Sequence, residues 1–114
     1  MNFETLRKYL LDKPGATEDF PFGPSAMVFK VRGKMFALIA VEETPLRINL
    51  KCDPELARHL RAAYDAVQPG YHMNKKHWNT IIIDGSLSDG EILTMIDDSY
   101  DLVVKGLGKI NELR

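Results

Sequence analysis

The chain has 114 residues, a net charge of −1 and a hydrophobic share of 45%. This length predicts one domain over residues 1–114, with a composition typical of globular proteins. The single cysteine, Cys52, excludes an internal disulfide, and no apolar run reaches the roughly 18 residues that span a bilayer. Because the chain also lacks a signal-peptide pattern, we expect a cytoplasmic protein without a membrane partner.

Charge is unevenly distributed along the chain. Residues 27–83 carry nine Lys/Arg against five Asp/Glu, whereas residues 84–114 carry three against seven. The middle of the chain can therefore present a basic face and the last helix an acidic one. An ordinary solvated surface explains the same distribution, and the net charge of −1 is unusual for a nucleic-acid-binding protein.

The first half of the chain predicts one helix followed by strands. Asn2 is a suitable N-cap for a helix that ends at Pro14. Residues 16–25 contain two prolines and a glycine, which indicates a loop or a short irregular strand. Segments rich in β-branched and apolar residues then predict strands over residues 26–31, 35–41 and 46–52. In the last of these, apolar residues alternate with Arg47, Asn49 and Lys51, which indicates one buried and one polar face.

The second half predicts two helices around one further strand. Asp53 caps a helix that continues to about residue 66, with Arg61 on its outer side. Residues 78–83 are strongly β-prone, and Ser88 and Glu91 form a capping box at the start of the final helix. The order α-β-β-β-α-β-α predicts an α+β fold in which an antiparallel sheet has its helices packed on one face.

The segment PGYHMNKKHWNT, residues 69–80, combines cations with aromatic rings between a helix and a strand. Lysines attract phosphate, and aromatic rings such as Trp78 can stack on bases or sugars. We expect Trp78 to be largely buried and to anchor the loop, while Lys75 and Lys76 remain exposed. If strand 78–83 pairs near strand 46–52, the polar groups converge into one anion-binding surface: Arg47, Lys51, Asn74, Lys75, Lys76 and His77.

No established catalytic motif is found in the chain: GxSxG, Walker, HExxH and CxxC patterns are all missing. We therefore expect no catalytic residues and no cofactor. Cys52 precedes a helix N-terminus, where its thiol is either activated or simply a small buried hydrophobe.

Metal binding has two weak candidates. His72 and His77 stand beside two lysines, which would repel a divalent cation, so no metal site is expected there. Asp97, Asp98 and Asp101 on the last helix form either a weak cation-binding surface or a solvated helical face.

Short segments spread over nearly the whole chain form a further pattern. They are KPGA at 13–16, VFKVRGKMFAL at 28–38, INLKCDPELA at 48–57, LR at 60–61, PGYHMNKKHWNT at 69–80, DGSL at 84–87 and IDDSYDLVV at 96–104. In this order they resemble the MmcQ/YjbR family. The resemblance implies a CyaY-like α+β domain with a proposed double-wing nucleic-acid-binding surface. At the matching positions, the implied patch comprises Asn74, Lys75, Lys76, His77 and Trp78, with Lys51 opposite.

Three functional hypotheses follow. The first is a DNA-binding protein that contacts the nucleic-acid backbone through its basic sheet and loop surface. The second is a protein-interaction or chaperone-like adaptor that uses the open sheet face. The third, less favoured, is a small-molecule enzyme that uses Lys76 or His77. The residues leave the target sequence, the partner and the oligomeric state open.

Overall fold

The computed structural model describes the backbone of residues 1–112 and the side chains of residues 1–107. The last two residues of the predicted domain, 1–114, therefore lie outside the described residues. The elements in chain order are α1 (Phe3–Leu11), β1 (Ala16–Asp19), β2 (Ala26–Val31), β3 (Lys34–Ala40), β4 (Leu46–Lys51), α2 (Pro54–Ala63), β5 (Val67–Pro69), β6 (Trp78–Ile83) and α3 (Asp89–Glu112).

The strands form one six-stranded sheet in the order β1-β2-β3-β4-β6-β5, and every neighbouring pair is antiparallel. The hydrophobic core lies between one face of this sheet and the helices, and includes Leu10 of α1, Ile48 of β4 and Ile96 of α3. The predicted α+β class is thus confirmed. We call the opposite face of the sheet, which carries Leu38, Arg47 and Thr80, the open face.

Two short edge strands complete the sheet. β1 lies within the segment expected to be a loop or an irregular strand, and it pairs with β2. α2 ends at Ala63, about three residues before its predicted end, and the chain is extended at Tyr64. β5 begins at Val67, which pairs with Ile81 of β6. Both strands are short, and they depend on hydrogen bonds to a distant partner rather than on a local apolar pattern.

The helix starts follow the local sequence. The Asn2 side chain accepts a hydrogen bond from the Thr5 amide, and Asp53 accepts two at the start of α2. Ser88 Oγ accepts from the Glu91 amide at 3.1 Å, so the predicted cap of α3 is confirmed. The Glu91 carboxylate, however, accepts from the Ser88 hydroxyl rather than from its backbone amide. Among the described helices, none has the length and apolarity required to cross a membrane.

A polar cluster joins α1 to α3 beside the core. The Asp97 carboxylate accepts a hydrogen bond from Tyr9 Oη at 2.7 Å and forms an ion pair with Lys13. Burial alone would raise the pKa of Asp97, but the hydrogen bonds from Lys13 and Tyr9 outweigh burial and hold the pKa below its ordinary value. Asp97 therefore belongs to a helix–helix contact rather than to a freely solvated acidic face.

Replacing Asp97 with Asn should lower the free energy of unfolding at neutral pH. A carboxylate whose folded pKa is depressed stabilises the fold only while it is ionised, so the difference from wild type should shrink as pH falls through that pKa. The Asp97 side chain is 41% exposed, and screening should keep the loss below ~1 kcal/mol. Urea denaturation at several pH values measures this difference. The matched control is Asp12→Asn at an exposed pair, and a difference that does not vary with pH would contradict the prediction.

Candidate binding surface at the 70–77 loop and the open face

The segment between β5 and β6, residues 70–77, is hydrogen-bonded to the open face of the sheet. Asn49 of β4 and Thr80 of β6 lie opposite each other, and Thr80 Oγ1 donates to Asn49 Oδ1 at 2.6 Å. The Tyr71 amide donates to Thr80 Oγ1 at 2.9 Å, and Asn49 Nδ2 donates to the Tyr71 carbonyl at 3.2 Å. Both Asn49 and Thr80 are buried, so each polar group in this network has exchanged water for a protein partner.

The same loop is also held from the helix side of the sheet. Arg61 of α2 donates from Nε to Asn79 Oδ1 at 2.6 Å and from Nη2 to the Trp78 carbonyl at 3.2 Å. A further hydrogen bond joins Arg61 to the Lys75 carbonyl. Because a guanidinium presents several donors in a rigid plane, one side chain fixes a helix, a strand and a loop together.

Gly70 allows the loop to turn closely over Trp78. A Cβ atom added at Gly70 would lie 2.9 Å from both Cβ and the carbonyl oxygen of Trp78, and 3.0 Å from Cβ of Met73. Only glycine fits such a close approach without a shift of the backbone. Trp78, expected to be largely buried, is half-buried, whereas Lys75 and Lys76 are exposed as predicted.

Most of the predicted site residues lie at one end of the sheet. Asn74 Oδ1 accepts from the Lys76 amide at 2.9 Å, which shapes the turn, and Lys75 Nζ donates to the Gly70 carbonyl at 3.0 Å. The carbonyl of His77, a half-buried residue, accepts from the Cys52 amide at 2.8 Å. Lys51 pairs with Trp78 in the ladder between β4 and β6. The structure therefore brings Lys51 together with residues 74–77.

Arg47 does not join that group. It lies four residues from Lys51 on β4, roughly 13 Å away along the strand, with the buried Asn49 between them. Arg47 instead lines a cavity on the open face together with Tyr71, His72 and other residues. The six residues predicted as one surface thus fall into a lysine end and an arginine end.

Sequence reasoning missed the anchoring residues. The sequence pattern places Arg61 on the outer side of α2 and Asn49 on a polar stripe, whereas the structure turns Arg61 toward β6 and buries Asn49. Helical spacing offered one signal, since Arg61 is four residues after the fully buried Ala57 and shares its side of the helix. Thr80 and Asn79 gave no comparable signal, because a polar residue inside a strand is ordinarily read as solvent-facing.

Cys52 is a buried thiol. Burial, with the nearby carboxylates of Asp53 and Asp98, raises its pKa to about 11. This environment is the opposite of the one that activates a cysteine. Within the described part of the chain, no cluster of three or more His, Cys, Asp or Glu residues is arranged to hold a metal ion.

Replacing Thr80 with Val should test the loop anchor. Valine keeps the shape and the β-propensity, but it leaves Asn49 Oδ1 and the Tyr71 amide without their partner. The expected loss is about 1–3 kcal/mol of unfolding free energy, measured by urea denaturation. The control is Thr17→Val at an exposed position of β1, which should change stability little. Equal effects of the two substitutions would contradict the proposed anchor.

Cys52 should react slowly with thiol reagents in the folded protein. At pH 8 a thiol with a pKa near 11 is only about one part in a thousand thiolate, compared with roughly a quarter for an unperturbed cysteine. Alkylation by iodoacetamide, followed by mass spectrometry, should therefore be at least about a hundredfold slower in buffer than in denaturant. Similar rates in both conditions would show that Cys52 is accessible and that its pKa is not raised.

Known proteins resemble this chain over most of its length. The family model YjbR matches residues 11–102. The uncharacterised protein YbdF of Escherichia coli O157:H7 is 39% identical over 111 residues, covering 97% of this chain and 91% of its own length. The uncharacterised protein YjbR of Escherichia coli K12 is 38% identical over 104 residues, covering 91% and 88%.

A solved structure shows the same fold. The crystal structure of Deinococcus radiodurans protein DR2400, described as a DUF419 domain, has a TM-score of 0.86 and 39% sequence identity to this chain. The match covers 90% of this chain and 78% of that protein. Sequence and structure agree, and the chain belongs to the YjbR family.

Proposed function

We propose that this protein binds nucleic acid in the cytoplasm, contacting the phosphate backbone of double-stranded DNA without strong sequence preference. The observation that carries the proposal is the exposure of Lys75 and Lys76 on a loop anchored from both sides of the sheet, with Lys51 beside it. Lysines that neutralise phosphates release condensed counterions, which supplies the favourable free energy of non-specific binding.

The anchoring of the loop supports this proposal. Its backbone is held by Arg61, Asn49 and Thr80, so binding need not order the loop backbone that carries the lysines. Tyr71 is 60% exposed, and its ring lies 4.0 Å from the ring of His72. These two rings offer flat surfaces to sugars or to unstacked bases next to the lysines.

One carboxylate of the acidic last helix, Asp98, lines the same small cavity as Lys51, so the loop lysines rather than Lys51 are the main proposed contacts. α3 packs against the helix side of the sheet, in contact with β2, β3 and β4. Its Asp97 is paired with Lys13, which reduces the free negative charge of the helix. Charges separated by more than about 8–10 Å through solvent are largely screened at physiological salt.

The double substitution Lys75→Gln and Lys76→Gln should weaken binding to a labelled DNA duplex uniformly across sequences. Wild-type affinity is expected on the order of 10⁻⁴–10⁻⁶ M near physiological salt, and the variant should have a salt dependence flatter by up to about two phosphate contacts. Fluorescence anisotropy at two salt concentrations measures both quantities.

The matched control removes the same number of positive charges from another part of the surface. Lys8 and Lys105 are exposed on α1 and α3, and their double replacement by Gln should leave DNA binding unchanged. If wild type does not bind at low salt, or if the two double variants lose affinity equally, the loop lysines are not a nucleic-acid site.

A protein-interaction adaptor is the second candidate. The observation that favours it is a set of exposed aromatic side chains: Phe22 at 69% and Tyr71 at 60% beside the cavity on the open face, and Phe20 at 44% between β1 and β2. Aromatic residues of this kind are enriched at protein interfaces. A partner held by them would remain bound at high salt, which separates this function from backbone binding to DNA.

A further inference from the structure

A cavity of about 520 Å³ lies on the open face, and its lining includes Arg47 but not Lys51, Lys75 or Lys76. Its floor comes from β3, β4 and β6, and its walls come from the segment before β2, the turn after β3 and residues 71–73. The volume falls within the range of about 300–1,000 Å³ that small-molecule sites occupy. The cavity is therefore large enough for an organic molecule of moderate size.

Arg47 gives this cavity a charge. It lines the space, and its Nε atom is buried without a hydrogen-bond partner among the described residues. The salt bridges within the described part of the chain do not include Arg47. Since no hydrogen bond or ion pair within the described part of the chain engages the Arg47 side chain, its outer guanidinium nitrogens are available to a ligand acceptor in the cavity. A carboxylate matches the guanidinium geometry with two parallel hydrogen bonds.

The remainder of the lining is largely apolar. Leu38 and Ala40 lie on the floor, and the exposed rings of Phe22 and Tyr71 stand at the sides. The side chains of Asn49 and Thr80 also line the cavity, but they are engaged with each other and with the backbone of Tyr71. A ligand body with a flat apolar surface fits this environment.

The rim limits the charge of the ligand. Glu42 and Glu43 belong to the lining and are exposed in the turn after β3. Their carboxylates would repel additional negative charge, which disfavours polyphosphates and nucleic acid at this position. We propose that the cavity binds a small organic monoanion, namely a carboxylate on a flat apolar body, with Arg47 as the residue that recognises the carboxylate.

A matched pair of probes tests this proposal. The ¹⁵N-labelled full chain is titrated with indole-3-acetate and with indole-3-acetamide, which differ in charge but share the aromatic body. The carboxylate should shift the amide signals of residues lining the cavity in a saturable manner. The amide should bind at least about tenfold more weakly, because it lacks the charge-assisted hydrogen bond. Equal affinity for the two probes, or no saturable shift with either, would overturn the proposal.

Two substitutions assign the effect to Arg47. Arg47→Met keeps the apolar stem and removes the unpaired nitrogen, so the melting temperature should not fall while the preference for the carboxylate disappears. Lys76→Gln should leave binding of the carboxylate unchanged, which separates this cavity from the proposed nucleic-acid site. A preference that persists in Arg47→Met would contradict the assignment. If Arg47→Met does not fold, the comparison of the two probes with the wild-type chain decides the proposal alone.

Discussion

Two consecutive residues of β6, Asn79 and Thr80, hold the distinctive loop in place. Successive side chains of a strand point to opposite faces, so Asn79 meets Arg61 on the helix side while Thr80 meets Asn49 on the open side. The loop backbone is hydrogen-bonded to Arg61 on the helix side, through the Lys75 carbonyl, and to Thr80 on the open side, through the Tyr71 amide. One strand thereby clamps the loop from two directions, and the position of every exposed group on it depends on that clamp.

The residues that anchor the loop also separate the surface of the sheet into two parts. On the sheet, the buried Asn49 separates the lysine end from Arg47, and the Tyr71 backbone rests above it. The lysine end is exposed and basic, which suits a large polyanion. The arginine end is recessed, apolar and bordered by glutamates, which suits a small singly charged molecule. The proposed nucleic-acid contact and the proposed cavity therefore use different cationic side chains, although the Tyr71 ring borders both.

Local sequence patterns predicted much of the fold, because the relevant forces act over a few residues. Asp53 and Pro54 start α2 through a cap and a tolerated missing amide, and the alternation in β4 places Ile48 and Leu50 in the core. The end of α2 at Ala63 was beyond local reasoning, since the extended backbone at Tyr64 leads into the pairing of Val67 with Ile81. The same limit applies to the site: the exposure of Lys75 and Lys76 follows from composition, whereas the burial of Asn49 depends on a partner 31 residues later in the chain.

The edges of the sheet decide from which direction a partner can approach. β1 has four residues, with Glu18 and Asp19 among them, and β5 has three and ends in Pro69. Short strands, charged side chains and proline are the features by which natural sheets prevent the addition of a further strand. A peptide therefore gains little by extending this sheet sideways, and recognition is directed to the exposed face and its loop. The same protected edges oppose the chain-to-chain pairing from which β-aggregates grow, so a broad uncovered face can be kept without that hazard.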